Sequence, residues 1–247
     1  MSDTINVYWA PLNETHPQID KSMWYLDPEN VYKRHTNNKN TDMKDYATLF
    51  TCPAIQKKLI NTWSFPNAID TKIVISDAMV TEHKGMPLRP TPRVNSIADT
   101  GHLWLDLSWL FFSEEPLVAE FTSAYFDKTS YANYMSIPPA AFDIGQWFRP
   151  FNSEYIVWEP NSCEINIPRG EQLFYITLLT DKKINFVRFE ATEKIIKYAS
   201  GCAKSTDFFG AGKGLDNRYS YFNDGHMREL VLRELKNNII DTQGGDR

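Results

Sequence analysis

Over residues 103–111 every second side chain is large and apolar. Leu103, Leu105, Leu107, Trp109 and Phe111 fall on one side of an extended chain, and Trp104, Asp106 and Ser108 alternate with them. A helix would spread these five residues around its circumference. Only the period of 2 in a strand gathers them on one face. A face this long without polar interruption has to be covered, so the chain must build at least a second layer. The pattern recurs along the sequence. Ile5, Val7 and Trp9 share a face before Pro11, which is read as the end of that strand. Ile69, Thr71, Ile73 and Ile75 alternate with Asp70, Lys72, Val74 and Ser76, and Leu117, Ala119, Phe121 and Tyr125 fall on one side of the segment 117–126. Residues 173–179 are apolar on both faces, which predicts a strand in the middle of a sheet.

Turn residues order these segments. Ser113-Glu114-Glu115-Pro116 predicts a hairpin over 103–126 with Leu105, Leu107 and Trp109 buried. Past Pro138 and Pro139 the segments 146–148, 155–158, 163–167, 171–179 and 184–189 predict a meander across 142–190. Its turns are Ile167-Pro168-Arg169-Gly170, read as type I, and Thr180-Asp181-Lys182-Lys183. A further strand is predicted at 47–52, and Pro53 suits the first position of a short helix reaching Ile60. The asparagine-rich stretch 33–44 and the connection holding Pro87, Pro90 and Pro92 read as loops.

After Glu190 the period lengthens. Thr192 and Glu193 open a helix with Ile195, Ile196, Ala199 and Cys202 on one side, and a glycine-rich loop at 209–214 follows. A last helix over 226–237 carries Met227, Leu230, Val231 and Leu235 as an apolar stripe. It is expected to dock on the β body that precedes it, because connected elements usually pack close by. About nine short strands then predict a mainly β protein, an antiparallel β-sandwich or jelly-roll-like barrel with short C-terminal helices. The division expected is a β-sandwich domain at 1–190 with a helical extension at 191–247 packed on it.

Composition narrows the function. Aromatic residues make up 14% of the 247, with 7 Trp, 12 Tyr and 15 Phe, which suits half-buried pleated surfaces. The formal charge of −5 argues against strong nucleic-acid binding, which rests on clustered Lys and Arg. Cys52, Cys163 and Cys202 form no CxxC pair and read as reduced thiols. The N-terminus lacks a signal-peptide pattern, and no apolar run reaches the ~20 residues of a membrane span. The expectation is a soluble cytoplasmic protein.

No motif assembles catalytic chemistry. His16, His35, His83, His102 and His226 form no metal-ligand spacing. His102 and Asp106 share a strand face but stand roughly 13 Å apart at ~3.3 Å per residue, too far for one metal with bonds of about 2 Å. The Gly212-Lys213 pair lacks the Ser or Thr of a phosphate loop, no GxSxG turn exists, and Cys52 has no neighbouring histidine. Glu114 and Glu115 read as solvated turn residues. Asp143, Glu154 and Glu171 have no spacing that brings them together. No catalytic residue, metal site or cofactor is assigned. The best binding candidate is Asp143, Trp147 and Arg149 with Trp158. Alternation along a strand at 146–148 places Trp147 and Arg149 on one face, where an arginine beside aromatics suits a sugar, base or peptide. The plainer alternative is that Trp147 and Trp158 fill the core or a subunit interface.

The sequence also bears two resemblances. Val-Tyr-Trp-Ala-Pro-Leu at 7–12, Cys52-Pro53-Ala54, Asn61-Thr62-Trp63 and the late strands resemble uncharacterised proteins of marine tailed phages of the T4-like type. That likeness implies a viral protein active in the host cytoplasm and brings no activity with it. Phe142-Asp143-Ile144-Gly145 through Ile167-Pro168-Arg169-Gly170-Glu171-Gln172-Leu173 is similar to the closing strands of the dUTPase and dCTP-deaminase fold. The serine-containing phosphate motif and glycine-rich C-terminal arm of that family have no counterpart here. The expected function is a non-enzymatic binding or assembly role, with homo-oligomerisation and the identity of a protein or small-molecule partner left open. The alternative is an enzyme or binder of a nucleotide or sugar with a pocket at the strand ends.

Overall fold

The structure, a computed structural model, describes residues 3–12, 25–37, 50–77, 79–88, 101–159, 161–208, 222 and 226–240, with 203–208 as backbone. The protein is mainly β, and antiparallel sheets pack as a sandwich, as the alternation predicts. One sheet has the strand order β13 (Lys183–Arg188), β1 (Thr4–Leu12), β6 (Gly101–Ser113), β10 (Pro150–Val157), β8 (Met135–Ser136). The facing sheet runs β2 (Glu29–Asn30), β3 (Thr62–Pro66), β12 (Gln172–Leu178), β7 (Val118–Thr122), β9 (Ala140–Asp143). A smaller sheet, β11 (Ser162–Ile167), β4 (Thr71–Ser76), β5 (Met79–Lys84), covers one end with Ile73, Ile75, Ile165 and Ile167 buried. All pairings are antiparallel except β1 with β13.

The core is built from rings. Phe65 stacks on Phe174 at 4.7 Å, and Trp109 meets Phe174 edge-on at 4.9 Å. Phe111 reaches Phe121 at 6.0 Å, so β6 and β7 face each other across the core. That corrects the hairpin expected over 103–126. Leu105, Leu107 and Trp109 are buried as predicted, but β6 pairs with β1 and β10, whereas β7 pairs with β12 and β9. The turn at Ser113-Glu114-Glu115-Pro116 leads from one sheet to the other. In a hairpin both apolar faces would lie on the same side of one sheet; crossing over lets each cover the other. The expected meander fails for the same reason. Four of its strands exist, but β10, β11, β12 and β13 alternate between sheets, and 146–148 is turn and irregular backbone, not strand.

Three local readings also change. β1 continues through Pro11 to Leu12, where Pro11 pairs with Trp109. Pairing of β13 with β1 stops at Trp9, so the missing N–H of Pro11 breaks no ladder on that side. Phe50 and Thr51 are helical, not strand, and 47–49 lie outside the described residues. At the 167–170 turn, the Glu171 N–H donates to the Pro168 carbonyl at 3.2 Å, and Gly170 has φ +84°. The turn is therefore shifted by one residue, with glycine at the third position that type II requires. Residues 38–44, Pro90, Pro92 and the glycine-rich loop at 209–214 lie outside the described residues.

Helices cover both outer faces. On one side α1 (Val31–Asn37) and α2 (Pro53–Ile60) bury Val31 and Leu59 with Phe50 over Tyr175 of β12. Tyr175 is why β12 reads apolar on both faces: it is covered twice. On the other side α3 (Glu193–Phe208) and α4 (Met227–Asn237) cover Tyr8, Leu110 and Phe112 with Ile195, Ala199, Val231 and Leu235. The α4 stripe therefore docks on its own sheet. Met227 and Leu232 pack against this cluster, and Leu230 does not belong to it. Among the described residues no helix is long and apolar enough to cross a membrane.

Helix α1 is held by a polar node. Asp127 accepts hydrogen bonds from the Tyr175 hydroxyl and from Arg34 at 2.6 Å, with His35 3.6 Å away. Burial lowers the His35 pKa from its ordinary 6.5, Arg34 adds to this, and Asp127 opposes it. The folded state thus disfavours a proton that the unfolded protein takes up, so this contribution is intact above about pH 6.5 and lost as pH falls below it. Glu114 and Glu234 have pKa values lowered from 4.5, so their contributions fade only at lower pH. Urea unfolding at pH 7.5 and pH 5.5 should show the wild type losing more stability on acidification than His35→Gln. Equal losses would mean His35 is not the group responsible.

Candidate functional site

The sandwich is open along one side. β9 is the last strand of its sheet and pairs with β7 alone. Across the gap, β8 reaches β10 only at Ile156 and Val157, so among the described residues the second edge of β10 is open over 150–155. Pro138 and Pro139 lie in the short link between β8 and β9, and Ile137 and Pro138 of this link border the gap. Between the two edges lies a cavity of about 360 Å³. β9 supplies Ala140, Ala141 and Phe142; β10 supplies Pro150, Phe151, Asn152 and Glu154; Trp147 and Arg149 come from the segment joining them. Its floor is aromatic: Phe121, Phe142 and Phe151 form a triangle of rings, with Phe121 4.8 Å from Phe142 and 3.9 Å from Phe151, and Phe142 6.5 Å from Phe151.

The four residues proposed from sequence separate here. Trp147 and Arg149 come together as expected, with the guanidinium 5.1 Å from the indole centroid. They do so from irregular backbone just after a turn and not from a strand. Trp147 is only 5% exposed, so it is a wall of the cavity anchored in the protein. Trp158 lies beyond the far end of β10, is 47% exposed and does not line the cavity. Asp143 also stays out of the lining. Its Oδ1 accepts the N–H groups of Leu117 at 2.9 Å and Gly145 at 2.8 Å, and its Oδ2 accepts the Gln146 amide at 2.7 Å. Asp143 therefore shapes the turn that presents Trp147.

Glu154 at the opposite rim was not among those four, because its role depends on strand register. His102 pairs with Ile156 and Trp104 with Glu154, so His102 and Glu154 are diagonal neighbours, 2.8 Å apart from Nδ1 to Oε1. A bulge between Asn152 and Glu154 sets that register, with Ser153 turned inward. The Asn152 side-chain Oδ1 accepts the Ser108 hydroxyl at 2.5 Å. The slot thus has an apolar aromatic body, a guanidinium at one end and a carboxylate in contact with His102 at the other. The residues lining it include no cysteine, histidine or tyrosine, and Glu154 is their one carboxylate.

Among the described residues no group of three His, Cys, Asp or Glu residues could hold a metal ion. A second recess, about 430 Å³, lies over Leu179 beside Lys57 and Lys58. Its lysines are already engaged, Lys57 with Asp181 at 3.0 Å and Lys58 with Glu120 at 3.5 Å. Comparison with known proteins finds no family model, curated protein or solved structure that matches this sequence.

Proposed function

We propose that this protein is a non-enzymatic binding protein that holds an extended segment of a partner protein in the slot between β9 and β10. The observation that supports this reading is the coincidence of a ring-floored cavity with two open strand edges. An extended peptide gains main-chain hydrogen bonds from a free edge and specificity from a pocket for alternate residues. A cavity of about 360 Å³ falls in the size range of ligand pockets and suits one or two large apolar groups. Arg149 favours an acidic residue or the terminal carboxylate of a peptide at its end of the slot. The resemblance to tailed-phage proteins supports reading the protein as viral and leaves the partner's identity open.

The test is a selection of displayed ten-residue peptides on the immobilised protein, repeated on Ala140→Trp. Ala140 pairs with Phe121 and so shares the inward face, yet it is exposed at the mouth of the slot. Tryptophan there fills the slot without entering the packed core. Selected peptides should carry an aromatic or large aliphatic residue at one fixed position, and the variant should bind them about tenfold more weakly or worse. Failure to enrich any sequence, or binding indifferent to Ala140→Trp, would overturn the reading. So would an oligosaccharide or nucleotide that raises the melting temperature of the wild type and not of the variant, because that ligand would own the slot.

A further inference from the structure

We propose that Arg228 of α4 is a positioning residue for the slot, so that docking of the C-terminal helix and occupancy of the slot are energetically coupled. The link is the segment 143–149. Trp147 and Arg149 line the slot, while Phe148 between them points the other way, fully buried in the helical layer against Phe112 at 5.3 Å. The Phe148 backbone N–H donates to the Cys202 sulfur of α3 from that side, opposing the rise in the thiol pKa that burial causes. One short stretch therefore has its alternate residues in two different sites.

The turn at the head of this stretch is pressed against the crossover between the sheets. A Cβ on Gly145 would stand 2.1 Å from the Glu115 carbonyl oxygen and 2.9 Å from the Pro116 Cα, so the two backbones touch. Arg228 fastens the junction from α4. Its Nε donates to the Gly145 carbonyl at 3.0 Å, and its terminal nitrogen donates to the Glu114 carbonyl. The other end of the helix adds Lys236, 3.0 Å from the Glu114 carboxylate, which also accepts the Tyr8 hydroxyl at 2.6 Å. A guanidinium fork suits this arrangement because it offers two parallel donors in fixed geometry. Helix α4 is 11 residues long, too short to be stable alone, so its order depends on this surface. Whatever steadies 143–149 from the slot then steadies α4, and the reverse holds by reciprocity.

The coupling rests on the slot reading only for its ligand half, so the experiment has two arms. In the unliganded protein, amide exchange is compared between wild type, Arg228→Lys and Arg228→Met. Exchange over 145–149 should rise about tenfold or more in Arg228→Met, with β12 unchanged, and Arg228→Lys should fall between because it keeps the charge and loses the fork. Faster exchange confined to α4, or faster exchange everywhere, would overturn the proposal, because either means a purely structural cap. If Arg228→Met fails to fold, Arg228→Lys alone decides. In the second arm, a peptide selected by the wild type should bind Arg228→Lys several-fold more weakly, and its binding should slow exchange in 227–237. A peptide that binds and leaves α4 exchange unaltered would also overturn the coupling. If the wild type selects no peptide, the slot reading falls, and the first arm still decides the role of Arg228.

Discussion

Gly145→Ala should be among the most damaging single substitutions in this protein, lowering stability by about 3 kcal/mol, the upper part of the usual overpacking range. The methyl group would meet the Glu115 carbonyl oxygen at 2.1 Å and the Glu115 carbonyl carbon at 2.7 Å. Both are backbone atoms, with no flexible group to yield. Either the crossover between the sheets moves away or the 143–147 turn opens, and either breaks the hydrogen bonds from Leu117 and Gly145 to Asp143. For a protein of this size the shift in melting temperature should be roughly 6–12 °C. Differential scanning calorimetry checks it. A change under about 2 °C, which at this size is less than ~1 kcal/mol, would show that the crossover is soft. It would also weaken the role given to the turn in presenting Trp147.

Phe121→Ala should cost about 3–5 kcal/mol, the range for emptying a buried phenylalanine site. Phe121 is fully buried and packs against both Phe142 and Phe151, and it also meets Phe111 of the opposite sheet at 6.0 Å. Removing it takes the buried ring from a cluster whose other two members, Phe142 and Phe151, line the slot. The void joins the cavity, so a second consequence follows. Small aromatic compounds such as benzene or indole should raise the melting temperature of Phe121→Ala more than that of the wild type, since the enlarged apolar cavity accepts such guests. Chemical denaturation measures the loss and thermal shift measures the rescue. A loss below about 1 kcal/mol, far under the range for such a void, would mean the sheets close over the gap. The slot would then not be the rigid site described.

How much of this was legible in the sequence depends on which interaction sets each feature. Strand identity is local, because the alternation of Leu103 to Phe111 and the double-sided run in β12 follow from which faces are buried. Partner choice is not local. A turn such as Ser113-Glu114-Glu115-Pro116 reverses direction equally well within a sheet or between sheets, and only packing of Phe111 on Phe121 selects the crossover. Helix α1 was hidden by its polar face. It is short, and its anchors Asp127 and Tyr175 lie far downstream in sequence. The joining of Trp147 and Arg149 was legible because they are near in sequence, although the strand invoked to align them is absent. Asp143 lies outside the cavity lining and holds the turn, a role its sequence does not reveal because a carboxylate that caps a turn has the same spelling as one that meets a ligand. The pair His102 and Glu154 requires the β6–β10 register and its bulge, which alternation does not fix.

The pairing of β1 with β13 also constrains the order of events during synthesis. β1 leaves the ribosome before either of its partners, β6 on one side and residues 183–188 on the other. At 5–20 residues per second, roughly 10–40 s separate the appearance of Thr4–Leu12 from that of its last partner. During that interval one edge of β1 has no mate, and Ile5, Val7 and Trp9 lack a finished layer to cover them. Closure of this sheet is therefore a late, long-range step of the kind that slows folding. A nascent polypeptide stalled before residue 183 should be protease-sensitive around β1, even with β6 already made.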